Sequence, residues 1–126
     1  MTPSDGVKTM TIRELIEILE AHIIVGGNAL DAEVLTACGS DMMSDVLAFV
    51  KDQSVLLTGL VNPQVVRTAE MMEMRCIVFV RGKTPDESVI ALAHEHRIVL
   101  LNTRFRMFTA CGLLYSAGLR GGCDRE

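Results

Sequence analysis

Two segments of the chain share one arrangement of apolar and polar positions. Each has an apolar run, a glycine, a polar residue, a proline and then a segment in which apolar residues recur every three or four positions. The first run is 55–57 and its proline is Pro63, while the second run is 76–80 and its proline is Pro85. A third apolar run, 98–101, follows. This alternation predicts parallel strands that are joined by crossover helices.

The polar residues before each proline predict where the crossover helices begin. Asn62 and Thr84 are residue types that cap helix N-termini, and Pro63 and Pro85 suit the first helical position. Thr84 and Glu87 have the spacing of a capping box, in which each side chain accepts a hydrogen bond from a free backbone N–H. Both helices are therefore predicted to start directly after a strand-end loop.

Weaker patterns describe the rest of the chain. Thr11 and Glu14 form a second possible capping box, which predicts an amphipathic helix over Thr11–Ala21. Residues 30–38 fit either a helix or a strand, and we favour a strand at 33–38. The remaining predicted elements are a strand at 23–25, a helix from Met42 to about Lys51, and a helix over Arg104–Leu119 with its apolar face at Met107, Phe108, Cys111, Leu114 and Tyr115 and a C-cap at Gly118.

Composition narrows the class of protein. With 126 residues, 49% hydrophobic and 22% charged, the chain is predicted to form one ordered domain. A net charge of -4 argues against a nucleic-acid surface, since phosphate binding needs clustered Lys and Arg. No apolar run approaches the ~20 residues that span a bilayer, and the polar segment 1–8 does not resemble a signal peptide. We therefore expect a cytoplasmic protein that binds neither nucleic acid nor membranes.

Metal and cofactor sites are not predicted. The four cysteines, Cys38, Cys76, Cys111 and Cys123, are not spaced as CxxC pairs, and free thiols suit a reducing compartment. His94 and His96 lie two residues apart on a predicted helix, so their side chains point to different faces.

The strand-end loops are the predicted ligand site. The carboxyl ends of parallel strands share one edge, where helix N-termini and glycines admit anions. The candidate ligand contacts are Thr58, Gly59, Asn62, Arg81, Gly82, Lys83, Thr84 and Thr103. The alternative is that the glycines only make tight turns and the charged side chains face water. No Walker or GxGxxG motif and no nucleophile with its base is present, so no catalytic residues are predicted.

The motif segments 56–64, 77–85 and 93–103 resemble the DRTGG domain, and the resemblance extends over about 10–119. It implies an α/β domain similar in fold to the N-terminal domain of HPr serine kinase, with an accessory, regulatory role and a tendency to dimerise. The chain looks like a stand-alone member of the kind found in anaerobic bacteria, which implies a partner such as a redox enzyme or a kinase. Two motif positions differ from the family pattern, at Leu60-Val61 and at Arg81-Gly82-Lys83.

Together, these observations predict a single α/β domain with a largely parallel sheet and crossover helices on both faces. The domain is expected over 10–119, with a flexible lead-in at 1–9 and a flexible tail at 120–126. The first functional hypothesis is a non-catalytic regulatory domain that acts as a homodimer, whose dimer face could be supplied by Met42, Met43, Met71, Met72 and Met74. The second is a sensor that binds a nucleotide or another phosphorylated metabolite at the strand-end loops.

Overall fold

A computed structural model describes residues 9–49 and 53–121. The elements are, in chain order, β1 (Met10–Thr11), α1 (Ile12–Leu19), β2 (His22–Val25), β3 (Glu33–Val34), β4 (Thr36–Gly39), α2 (Met43–Phe49), β5 (Ser54–Thr58), α3 (Pro63–Met71), β6 (Cys76–Phe79), α4 (Glu87–Glu95), β7 (Val99–Asn102), α5 (Met107–Ser116) and β8 (Arg120–Gly121). Residues 1–8 of the predicted lead-in, the predicted helix end near Lys51, Cys123 and the tail beyond 121 lie outside the described residues.

Within the described residues, the main sheet has six strands in the order β2-β7-β6-β5-β4-β8. The five strands β7, β6, β5, β4 and β8 run parallel to one another, and β2 adds to this set by pairing antiparallel with β7. In register, Leu57 pairs with Val78, which pairs with Leu101. β1 and β3 form a separate antiparallel pair. The predicted α/β fold with a largely parallel sheet is thus confirmed.

Helices cover both faces of this sheet, because alternate strand residues point to opposite sides. Leu57, Val78 and Leu101 pack in the core beneath α1 and α5. The neighbouring residues Leu56, Ile77 and Leu100 pack in the core beneath α2, α3 and α4. Strands that are buried on both sides have continuous apolar runs, which explains why β5, β6 and β7 were evident in the sequence.

Two predicted helix starts are confirmed. The Thr11 hydroxyl accepts a hydrogen bond from Glu14 N, and the Glu14 carboxylate accepts one from Thr11 N, so the first capping box is present. Asn62 caps α3 through Oδ1, which accepts from Val65 N at 3.2 Å, and Pro63 is the first residue of that helix.

The predicted start of α4 is wrong. Asp86, not Thr84, is the N-cap, and the helix begins at Glu87, so Pro85 is not its first residue. The Asp86 carboxylate accepts from Ser88 Oγ at 2.6 Å and from Ser88 N at 3.1 Å. The hydrogen bonds from the Ser88 side chain, first, and then from Val89 N and Ser88 N lower the pKa of Asp86. The Asp86 carboxylate therefore caps the first backbone N–H groups of α4, and the capping box predicted for Thr84 and Glu87 does not form.

The last helix also starts later than predicted. α5 begins at Met107, and its N-cap Arg106 makes no side-chain capping bond. The chain is not helical at 103–105 because the Thr103 and Phe105 carbonyls accept hydrogen bonds from the β6–α4 loop. The helix ends at Ser116 with Ala117 as its C-cap, so the C-cap predicted at Gly118 is wrong by one residue. Gly118 follows the cap with a positive φ of 111°.

The apolar face predicted for α5 is wrong at its two aromatic positions. Ala110 and Leu114 are the buried residues of the helix. Phe108 is 90% exposed and Tyr115 is 57% exposed. Within the described part of the chain, no helix is both long and apolar enough to cross a membrane.

Candidate ligand site at the strand ends

The loops that follow β4, β5, β6 and β7 meet at one edge of the sheet, because these four strands run parallel. Two hydrogen bonds extend the ladders past the strand ends, from Val80 N to Thr58 O at 3.0 Å and from Thr103 N to Phe79 O at 2.9 Å. We call the loops 40–42, 59–62, 80–86 and 103–106 the strand-end rim. It contains the predicted contacts from Gly59 to Thr103, and Thr58 is the strand residue directly beneath it.

Asp41 occupies the donors at the end of β5. One oxygen of its carboxylate, Oδ1, accepts from Gly59 N at 2.7 Å and from Thr58 Oγ1 at 3.0 Å. The Thr58 hydroxyl in turn accepts from Leu60 N at 3.2 Å. The Asp41 carboxylate thus occupies the hydrogen-bond donors, Gly59 N and Thr58 Oγ1, that would otherwise be available to a bound anion. Asp41 is not among the contacts predicted from the sequence, which gives no signal that β4 and β5 are neighbours.

Arg81 and Gly82 form a tight turn at the end of β6. Both have positive φ angles, 61° and 67°, and Lys83 N donates to Val80 O at 3.2 Å, as in a type I′ turn. Arg81 N donates to Phe105 O and Gly82 N donates to Thr103 O, each at 2.8 Å. The backbone N–H groups of this turn are therefore satisfied within the protein, and its side chains are what it offers to a ligand.

The Arg81 guanidinium lies against Gly59. A methyl group added to Gly59 would overlap Arg81 Nη2 and would come within 3.2 Å of Cζ. Gly59 is buried, whereas Arg81 is exposed. Glycine at this position therefore allows a cation from the β6 loop to reach the β5 loop, and the two loops present a single charged surface.

The other predicted contacts have different environments. Thr103 is 1% exposed, and its hydroxyl donates to Leu19 O at 2.7 Å, which ties the end of α1 to the rim. Asn62 uses its side chain to cap α3. Lys83 and Thr84 are exposed in the loop that leads to α4.

The outgoing loops diverge between β6 and β7. The helix after β6 packs on one face of the sheet, and the helix after β7 packs on the other. Ligands of open α/β sheets bind at such switch points. A cleft of about 340 Å³ lies there, and we call it the switch-point cleft; it is lined by Glu20, His22, Gly82, Asn102, Thr103 and Arg104.

Four of the residues lining the cleft were not predicted, namely Glu20, His22, Asn102 and Arg104. Glu20 and His22 enter the site because β2 pairs antiparallel with β7, a pairing that the sequence does not signal. A larger cleft of about 610 Å³ lies at the opposite edge of the sheet. Its charged lining residues, Glu70, Glu73, Arg75 and Arg97, are exposed and of both signs, which is typical of a solvated groove.

Metal ligands do not converge within residues 9–49 and 53–121, where no group of three His, Cys, Asp or Glu side chains could hold an ion. His94 and His96 are both exposed at the end of α4. Cys76 is buried, and burial raises the pKa of its thiol. Burial also raises the pKa of the Cys111 thiol, which is about half-buried.

The fold defines an α/β domain with a cleft at the switch point between β6 and β7. A family model for the DRTGG domain matches residues 14–117, and the chain belongs to this family. A search of curated proteins found no match.

A solved structure supports the same fold. The chain is similar to the CBS and DRTGG domains of the regulatory region of Clostridium perfringens pyrophosphatase, solved in complex with its activator diadenosine tetraphosphate, with a TM-score of 0.68 and 15% sequence identity. The match covers 89% of this chain and 49% of the solved chain, so the chain spans about half the length of that structure.

Proposed function

We propose that this chain is a non-catalytic regulatory domain that acts as a homodimer and is accessory to a metabolic or redox enzyme in the cytoplasm. Membership of the DRTGG family supports the regulatory role, since the solved neighbour is the regulatory region of an enzyme. The single observation that carries the dimer is the exposed aromatic face of α5.

This face has the properties of an interface core. Phe108 and Tyr115 are seven residues apart, so they lie on one side of the helix, and both are exposed. Gly112 lies between them and a Cβ there would meet no neighbouring atom. Large exposed aromatic side chains mark contact surfaces, and a glycine among them allows a partner to approach closely.

A second copy of the chain is the partner that this face fits. Residues 107–116 of α5 contain no charged side chain. In a twofold dimer one surface meets its own copy, so the uncharged residues of α5 can pair without repulsion between like charges. The Arg120 guanidinium stacks on the Tyr115 ring, 3.8 Å from its centroid, so the contact is centred on Phe108 and Gly112. A specific dimer buries about 800 Å² on each partner, which requires α5 together with its flanking residues.

Sedimentation equilibrium of Phe108→Glu and Met71→Glu tests the proposal. Phe108 lies in the first turn of α5, where a carboxylate is compatible with the helix dipole, so the variant should fold. Met71 is 64% exposed on α3, on the opposite face of the sheet. It is one of the five methionines that the sequence analysis offered as a dimer face, which we call the methionine surface.

We expect the wild type to dimerise at tens of micromolar, Phe108→Glu to be monomeric, and Met71→Glu to remain dimeric. Dissociation by Met71→Glu alone would move the interface to the methionine surface. A monomeric wild-type protein would reject the homodimer.

The second candidate function is recognition of a nucleotide or another phosphorylated metabolite at the strand-end rim. It is favoured by the Arg81 guanidinium, a cation that is exposed beside the switch point and suited to phosphate. The solved neighbour was crystallised with a dinucleotide activator. Lys83 adds a second exposed cation in the same loop.

Thermal-shift titration with adenine nucleotides tests this function. A ligand at one hundred times its Kd should stabilise the protein by about 2.7 kcal/mol. Arg81→Ala should abolish the shift, whereas Arg75→Ala, which removes an exposed arginine at the opposite edge of the sheet, should retain it. Equal shifts in both variants would place the ligand away from the rim.

A further inference from the structure

The switch-point cleft contains a side chain whose hydrogen-bonding capacity the protein does not use. Asn102 ends β7 and lines the cleft. Its Oδ1 atom is buried without a hydrogen-bond partner, and its Nδ2 donates to Lys83 O at a long 3.4 Å. Because a buried acceptor without a donor destabilises the fold, a group that supplies the donor is expected to bind there.

The carboxamide of asparagine selects among the common bases. Its oxygen accepts from the exocyclic amino group of adenine while its nitrogen donates to N7, which gives two hydrogen bonds in one plane. Guanine presents two acceptors, O6 and N7, at the same edge, so Oδ1 of Asn102 would face an oxygen. Pairing with adenine requires the carboxamide to turn so that the buried Oδ1 faces the cleft, and Nδ2 then gives up its long bond to Lys83 O.

The surroundings of Asn102 suit the rest of a nucleotide. The cleft volume of about 340 Å³ is at the lower end of the range for small-molecule sites, which admits a single nucleoside. Glu20 and Arg104 form an exposed ion pair at 2.8 Å and line the same cleft, where a carboxylate can accept from ribose hydroxyls. Gly82 lines the cleft, and the neighbouring Arg81 directs its guanidinium away from the cleft, against Gly59, where it can meet a phosphate that extends out of the cleft across β6.

We propose that the switch-point cleft binds the adenine ring of a mononucleotide, with the Asn102 carboxamide as the residue that selects adenine over guanine. This inference rests on the proposed ligand-binding function of the rim. It separates two tasks along the strand-end rim, since Arg81, outside the cleft, holds the phosphate of any nucleotide and Asn102, inside it, recognises the base.

Isothermal titration calorimetry with AMP and with GMP tests the inference on wild type, Asn102→Leu, Arg81→Ala and Asn28→Leu. Asn28 is an exposed asparagine outside the cleft and provides the matched control. We expect the wild type to bind AMP at least fivefold more tightly than GMP, the difference that one bidentate base contact provides. Asn102→Leu should remove this preference, Arg81→Ala should weaken both nucleotides alike, and Asn28→Leu should change neither.

A second measurement does not depend on a folded variant. In ¹⁵N-correlated spectra of the wild type, AMP should shift the side-chain amide signals of Asn102 more than GMP does. Equal affinity for AMP and GMP, lost in Arg81→Ala and unchanged in Asn102→Leu, would overturn the adenine site and leave ligand binding at the rim intact. Absence of binding by either nucleotide to the wild type would overturn both.

Discussion

Replacement of Thr103 by valine tests whether this residue stabilises the fold rather than contacting a ligand. Its hydroxyl donates to Leu19 O at 2.7 Å and accepts from Phe105 N at 3.3 Å, and the residue is 1% exposed. Valine has nearly the same shape, so it removes these hydrogen bonds without opening a cavity. A buried carbonyl left without its donor costs about 1–3 kcal/mol. We therefore expect the free energy of unfolding to fall by about 2 kcal/mol.

Urea denaturation followed by circular dichroism measures this change. With an m-value of about 1–3 kcal/mol/M, the midpoint should fall by about 1 M while the m-value stays constant. Thr103→Ser retains the hydroxyl and should recover most of the loss, because only a methyl group is then missing. If Thr103→Val is as stable as the wild type, or if Thr103→Ser is less stable than Thr103→Val, the hydrogen bond to Leu19 O does not stabilise the contact between α1 and the rim.

Three other predictions concern stability. Glu73 and Arg97 lie just beyond α3 and α4 with φ angles of 58° and 60°, in the left-handed region that glycine adopts without steric cost. Glycine at either position should therefore raise the free energy of unfolding, measured in urea, by up to about 1 kcal/mol. A lower free energy of unfolding would contradict backbone strain at these positions. Asn62→Ala should lower it by about 1 kcal/mol through loss of the cap, whereas the exposed neighbour Gln64 should tolerate alanine. Burial raises the pKa of the Cys76 thiol above its ordinary value of 9.0, so the unfolded chain releases this proton first and stability should fall above pH 9 by up to about 1.4 kcal/mol per pH unit. Cys76→Ala should show a shallower alkaline decline in the same titrations, and identical slopes would contradict this cause.

Local signals in the sequence were sufficient for the central half of the fold. β5, β6 and β7 are buried on both faces, so their apolar runs are continuous and could be recognised without knowledge of their neighbours. Asn62 with Pro63 predicted the start of α3 because both residues act within their own first turn. Parallel pairing then followed from the order of strands and helices, and with it the edge of the sheet at which to look for ligands.

Features that depend on distant segments were not predictable in the same way. α5 carries no charge, so its sequence does not indicate which side is outside, and the apolar face predicted for it included the exposed residues Phe108 and Tyr115. The start of α5 is delayed because the 103–105 segment bonds to the β6–α4 loop. Asp41 reaches Gly59 only because β4 and β5 are neighbours in the sheet. Each of these outcomes is decided by a contact between residues far apart in sequence.

The difference between local signals and contacts with distant segments also explains why some predicted ligand contacts are bonded within the protein and others are not. Motif reasoning selected glycines and hydroxyls because free donors at strand ends bind anions. In this fold these donors bond within the protein. The Asp41 carboxylate accepts from Gly59 N and Thr58 Oγ1, and Leu19 O accepts from Thr103 Oγ1. The carbonyls of Phe105 and Thr103 accept from Arg81 N and Gly82 N. The proposed recognition of a ligand at the rim therefore relies on side-chain groups without a described hydrogen-bond partner, the guanidinium of Arg81 and the carboxamide oxygen of Asn102. A ligand that engages both has to extend from the cleft beside β7, where the outgoing helices separate, across the end of β6 to the β5 loop against which the Arg81 guanidinium lies.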